Sequence, residues 1–277
     1  MNSSIQRRLE ADSVLDDGDM LLRRALPNAA QTSLGPFVFL DHYRHRSQRG
    51  IGDRPHPHAG IEVVSYLLEG GVEHRDSMGF RDHLEAGDAQ FIRAGRGMLH
   101  AEQPDGGRHG LQLWTSLPPE LKLTEPSYRS FDAAELPTFV DGESRLVVIA
   151  GHVNCLDGPM SLSGGAVFAR LQLAAGATRT LAYEDSLELG IYVMQGHVQI
   201  EDVLLSTGDL GLLGIGDRVE ISALGDDTVE LALLGGRPVK GEILFSGPFV
   251  MDTPERLAQV RRDFASGRMG RLGGIPF

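Results

Sequence analysis

Arg54-Pro-His-Pro-His-Ala-Gly60 opens, and Met98-Leu-His-Ala-Glu102 closes, the stretch whose reading decides the fold. In a β-strand, side chains two apart share a face. His56 with His58, and His100 with Glu102, then each offer two ligand-type groups to one side of a sheet. Three imidazoles and one carboxylate, with no sulfur, suit a borderline divalent metal such as iron, nickel, copper, manganese, cobalt or zinc. A lone His-x-His pair is a weak signal, and the second pair strengthens it.

The residues between the pairs read as a hairpin pathway in a β-barrel. Ile61-Glu-Val-Val-Ser-Tyr-Leu-Leu68 is rich in β-branched and aromatic residues. Glu69-Gly-Gly71 is expected to turn it, and Val72-Glu-His-Arg-Asp76 to run outward with polar residues. A second turn is expected at Glu85-Ala-Gly-Asp88 and a strand at Ala89-Gln-Phe-Ile-Arg93. Gly95-Arg-Gly97 then bends the chain into Met98, because glycine permits tight bends at positive φ. His100 thus returns toward His58 across 42 positions (100 − 58).

These residues resemble a known family. His-Pro-His-x-Gly-x-Glu, Tyr-Leu-Leu-Glu-Gly, Ala-Gly-Arg-Gly-x-x-His-Ala-Glu, Gly110-Leu-Gln-Leu-Trp114 and Gly247-Pro-Phe-Val-Met-Asp252 are similar to the pirins, members of the cupin superfamily, over most of the chain. The resemblance implies two tandem cupin (jelly-roll-like) β-barrels, an all-β fold. It also implies one mononuclear metal, usually iron, held by the His-x-His pair and the His and Glu of His-Ala-Glu. Carried over, those positions are His56, His58, His100 and Glu102.

A chain of 277 residues suits two domains of ordinary size. A net charge of −12 argues against a nucleic-acid partner, since phosphate-backbone binders carry a basic patch. The single cysteine, Cys155, excludes an internal disulfide framework and a cysteine zinc site. No signal-like or membrane-length apolar run is present, so a cytoplasmic protein without a membrane partner is expected.

Gly35-Pro-Phe-Val-Phe-Leu-Asp41 reads as a buried strand in which Phe37 and Phe39 share a face. His42 and His45 follow in Asp41-His-Tyr-Arg-His-Arg46, read as a solvated loop. After Trp114, prolines at 118, 119, 126 and 137 punctuate a crossing segment, with a short helix expected around Phe131–Glu135. The expected domains are 1–130, carrying the metal, and 131–277.

The second half contains a weakened copy of the first. Tyr66 in Glu62–Gly70 aligns with Tyr192 in Glu188–Gly196, an offset of 126 (192 − 66). Asp88 in Leu84–Ile92 aligns with Asp209 in Leu205–Leu213, an offset of 121 (209 − 88). A five-residue deletion reconciles them, and the copy implies two barrels on one plan. It also supplies a control: the four candidate ligands map onto Ala182, Glu184, Ile221 and Ala223, so a metal is expected only in the first barrel. Glu62 keeps a counterpart, Glu188, in the copy that lost the histidines. Glu62 is therefore read as a supporting residue rather than a ligand, in agreement with the pirin pattern.

Asp252-Thr-Pro-Glu255 resembles a capping box with Asp252 as N-cap. The helix it opens carries Leu257, Val260 and Phe264 as a packing stripe before Gly267. The tail 270–277 is expected to be loose.

A divalent ion held by three neutral imidazoles and one carboxylate keeps a positive charge, and in octahedral coordination it keeps two open positions, as in non-heme iron oxygenases. Structural zinc sites are closed and favour cysteine. No triad order, phosphate loop or nucleophile elbow supports another enzyme class. Bacterial pirins are similar to quercetin 2,3-dioxygenases, and the resemblance implies iron(II), a flavonol-like small molecule and dioxygen. In that picture Glu102 takes the proton of the flavonol 3-hydroxyl. Phe37, Phe39 and Trp114 are candidate contacts for a flat ligand and equally good core residues. Pirins also resemble iron-binding redox sensors that dock on a transcription factor or a metabolic enzyme, which is the alternative reading.

Overall fold

The computed structural model describes residues 1–46 and 52–273. The fold is all-β as expected, and the described residues include one α-helix, Pro254–Ala265, and two short 3-10 turns at Ala133–Glu135 and Ser163–Gly165. Among the described residues no helix is long and apolar enough to cross a membrane.

The chain divides into two compact units, and not at one point. The first comprises Met1–Asp12, Arg23–Phe37 and Ala134–Pro238, the second Ser13–Leu22, Val38–Ala133 and Val239–Phe277. The main bodies part between 133 and 134. Each terminus, however, belongs with the opposite half of the sequence. The N-terminal strand Ile5–Glu10 pairs antiparallel with Asp209–Leu213, and the C-terminal segment brings Val250 into the core beside Val38 and Val63. Edge pairing of this kind satisfies backbone groups from far along the chain, and local residue pattern carries no record of it.

In the first unit, Glu188–Gln195 lies between Asp209–Leu213 and Val229–Gly236 in a seven-stranded sheet, accompanied by a four-stranded one. Side chains of both sheets meet in one apolar core that includes Leu171, Ile191, Val219 and Leu231. The positions matching the candidate ligands follow this character: Ile221 and Ala223 lie in that core, and Ala182 and Glu184 are exposed. Glu188 accepts a bond from the Gly35 backbone N–H at 3.1 Å.

In the second unit, strands run side by side in the order Ser127–Phe131, Ala89–Arg93, Ile61–Asp76, Met98–Ser116, Phe37–His45. The turn expected at Glu69-Gly-Gly71 is absent. Ile61–Asp76 is one strand of 16 residues, bulged between Leu67 and Glu69 and between Gly70 and Gly71. Gly70 sits at φ +77, and a Cβ there would meet the Gly107 carbonyl oxygen at 2.1 Å. Glycine therefore lets two bulged strands cross closely without breaking the ladder. His74 consequently stays paired, directly opposite Glu102.

Two other expectations change. His42 and His45 belong to the strand Phe37–His45 and are buried, with His42 Nε2 2.7 Å from His109 Nε2. For His42, partnering inside the fold removes the need for solvent that the polar composition implied. The helix N-cap is Thr253, whose side chain accepts from the Arg256 N–H, while Asp252 forms an ion pair with Arg256 at 2.7 Å. In the helix stripe Val260 is buried, Leu257 half-buried and Phe264 exposed. The expected loose tail lies partly outside the described residues; just before it, Met269 is buried and its carbonyl accepts from Ser77 Oγ at 2.9 Å.

Candidate metal centre

The short strand His56–His58 pairs antiparallel with the start of Met98–Ser116, placing His56 opposite His100. On the other side of Met98–Ser116, Asp76 stands opposite His100 and His74 opposite Glu102. Ring centroids of His56, His58 and His100 lie 4.3 to 5.0 Å apart, and each offers a ligand atom within 4.8 Å of the others.

His58 and His100 are buried, and neither nitrogen of either ring has a hydrogen-bond partner of normal geometry. Buried polar atoms without partners cost free energy, and native proteins rarely keep them. An ion is the partner this arrangement fits. His56 is half-buried, and its Nδ1 lies 2.9 Å from the Arg54 carbonyl oxygen. An N–H donated there fixes the tautomer that leaves Nε2 as the lone-pair donor, as in many metal-bound histidines. Burial first, then the neighbouring His56, pushes the His58 pKa down to about 3. His100 is held well below its ordinary value by burial and by His56, His58 and His74. Both rings are thus neutral, the form that binds metal.

Glu102 joins His100 and His74 in a second group of ligand atoms within the same reach, rather than the three-histidine group. Its Oε1 lies 3.6 Å from His100 Nδ1 and accepts a bond from Gln90 Nε2. Its Oε2 accepts from Arg108 Nη1 at 2.7 Å. Burial alone would raise the carboxyl pKa. The Arg108 charge, His74 and the Arg108 bond together outweigh it and hold the group below the usual carboxylate range.

Four neighbours of the site escape the sequence reading: His74, Gln90, Arg108 and Tyr128. His74 is fully buried, stacks on Tyr128 with centroids 4.2 Å apart, and places Nε2 3.4 Å from Asp76 Oδ2. Tyr128 donates to Asp82 Oδ2 at 3.0 Å. A glutamine on the same strand face as the core residue Ile92 is the signal that could have revealed Gln90. His74 was hidden by the supposed turn before it. Arg108 stands in a bulged run whose period no longer marks a face.

Glu62 takes no part in either cluster. It is fully buried, accepting from Arg93 Nε and Nη2 at 3.1 and 2.9 Å and from Thr115 Oγ1 at 2.8 Å. Trp114 stands edge-on to His58 at 5.0 Å and stacks on Phe39 at 4.0 Å, whereas Phe37 is buried and grouped with the other unit. The described residues contain no ligand-type group of three in the first unit.

Comparisons with known proteins agree with this layout. The family model described as Pirin matches residues 20–115, and that of the Pirin C-terminal cupin domain matches residues 168–270. A Pirin-like protein of Caulobacter vibrioides is 35% identical over 263 residues, covering 91% of this chain and 94% of that one. Pirin of Homo sapiens is 31% identical over 256 residues, covering 90% and 88%. The crystal structure of quercetin 2,3-dioxygenase from Acinetobacter baumannii superposes with a TM-score of 0.89 at 25% identity, covering 98% of this chain and 99% of that one.

Proposed function

The chain belongs to the pirin family of two-domain cupins, and from that premise we propose that it is a mononuclear metal-dependent dioxygenase acting on flavonols such as quercetin. The observation that carries this reading is the convergence of His56, His58 and His100, two of them with buried nitrogens that make no hydrogen bond of normal geometry. Similarity to a quercetin dioxygenase structure along nearly the whole chain supports the substrate class.

His56, His58 and His100 would hold the ion, with Glu102 as fourth ligand through Oε1. Arg108 Nη1 donates to Glu102 Oε2 and would remain the partner of that oxygen. Iron(II) suits dioxygen chemistry, and nickel, copper, manganese, cobalt or zinc suit the same donors. When bound, the ion would supply a Lewis acid for substrate oxygens and, where the metal is redox-active as iron is, a redox partner for dioxygen.

The remaining work falls to the chain. Glu102, kept ionised by Arg108, is available to accept the proton of a flavonol 3-hydroxyl. Gln90 holds Oε1 in place, and Ser65 Oγ accepts from the same amide at 3.3 Å, fixing its orientation. Trp114 and Phe39 form an apolar wall beside His58 that limits water near the reacting atoms.

The test is oxygen-dependent loss of flavonol absorbance by protein of measured metal content, compared with the same mixture kept anaerobic. Turnover that needs both oxygen and metal is the expected result. Stable flavonol with every one of these ions would return the protein to the non-catalytic, iron-sensing reading.

A further inference from the structure

A cavity of about 390 Å³ opens where the strand Phe37–His45 ends beside the bulged part of Met98–Ser116. Arg44, His45, Arg46, Arg108 and His109 contribute to its wall, against one acid, Glu69. Glu69 is largely exposed, with Oε1 3.4 Å from His109 Nδ1. In a chain of net charge −12, three arginines and two histidines around one acid run against the overall balance.

Arg108 already has its counter-charge in Glu102. Among the described residues, no carboxylate stands within ion-pair distance of Arg44 or Arg46. His45 is only 2% exposed, yet neither of its ring nitrogens has a hydrogen-bond partner, and the buried Arg44 Nε has none either. Buried donors of this kind are costly unless a ligand or ordered solvent meets them. Two cationic side chains and an imidazole, converging on a hollow with little negative charge of its own, make a receptor for an anion.

We propose that this cavity is a binding subsite for a small carboxylate or related oxoanion, held by Arg44 and Arg46 and completed by a ring N–H of His45. Arg108 joins the wall to the Glu102 carboxylate, so the subsite adjoins the metal centre through one shared residue. The occupant is a free small anion or the acidic arm of a larger molecule. The inference is independent of the dioxygenase reading, because it rests on a different cavity and different side chains.

Isothermal titration of the purified protein with succinate, benzoate and inorganic phosphate, at ionic strength fixed by chloride, tests it. Saturable binding is expected for at least one of the three. Loss of one charge-assisted contact in Arg44→Gln or Arg46→Gln should weaken it about tenfold, and the double variant more. Arg237→Gln, in the other unit, should leave it unchanged. Both wall arginines lie at or near the surface, and an unaltered circular dichroism spectrum checks folding of the variants. No saturable heat with any of the three anions overturns the proposal, as does equal affinity in the double variant. Binding that disappears in His56→Ala while surviving the double substitution would place the anion on the metal and also overturn it.

Discussion

Arg108 Nη1 lies 2.7 Å from Glu102 Oε2, with both side chains almost completely buried. Two charges withdrawn from water together are worth little net, but each is expensive to leave alone. Glu102 is therefore charge-compensated before any metal arrives, and the protein needs no ion to keep that carboxylate ionised. An ion at Oε1 would add a second positive neighbour to a group already paired.

Replacing Arg108 with methionine strands the Glu102 charge. We expect the metal-free variant to lose ~3–5 kcal/mol of stability, the usual cost of breaking a buried pair from one side. Metal should recover part of this loss by taking over as counter-charge. Thermal unfolding with and without metal checks the prediction: the metal-induced rise in Tm should be larger in Arg108→Met than in the parent. An equal rise would mean that Glu102 does not contact the ion.

The metal should bind once per chain, since the counterparts of the candidate ligands in the first unit are exposed Ala182 and Glu184 and core Ile221 and Ala223. Alanine at His56, His58 or His100 should abolish it. Elemental analysis giving two ions per chain, or undiminished metal in His58→Ala, refutes the assignment.

The sequence made much of this site legible, because His56-Pro-His58 and His100-Ala-Glu102 carry their ligand chemistry and period of two within three residues each. It hid what depends on irregularity. Bulges around Gly70 keep His74 in register with Glu102, and the same crossing places Arg108 against it, so a strict alternation loses both. The polar run at 41–46 looks solvated for a similar reason: His42 finds its partner in His109, far along the chain. The division into units was obscured because Ile5–Glu10 and the segment after Val239 pair non-locally. Glu62, read as a supporting residue from the internal copy, accepts three bonds from Arg93 and Thr115.

Lys122 supplies a pH-dependent prediction away from the metal. Its buried ammonium donates to the carbonyl oxygens of Gly60 and Val250 and to Ser116 Oγ at 2.8 to 2.9 Å. Burial pushes its pKa down from 10.5 to about 8. Between those values the unfolded chain holds a proton that the folded chain has released, so stability should rise with pH from about 8 to 10.5. Below that window the full cost of burying the charge is present. Denaturant unfolding of the parent and of Lys122→Met across pH 7 to 10 reads the effect as a gain in stability of the parent relative to the variant as pH rises. A difference that stays constant would show that the three oxygens hold the proton against burial.

The last prediction separates ligation from proton transfer at Glu102. Glutamine keeps the size and one carbonyl oxygen, but it cannot take up a proton as a carboxylate does, and its NH2 replaces one of the two acceptors that meet Gln90 Nε2 and Arg108 Nη1. Glu102→Gln should retain substantial metal while flavonol turnover falls ~10²–10⁴-fold, the usual worth of general-base assistance. Glu62→Gln is the control: its bonds to Arg93 and Thr115 tie strands together outside both ligand clusters. It should lower stability and leave turnover per bound metal nearly unchanged. Rates are compared at equal metal content, which removes loading as a cause. Metal-loaded Glu102→Gln that turns flavonols over at the parental rate would end the proton-transfer role, and the unpartnered Nδ1 of buried His74, stacked on Tyr128 beside the same carboxylate, would become the acceptor to test by His74→Gln.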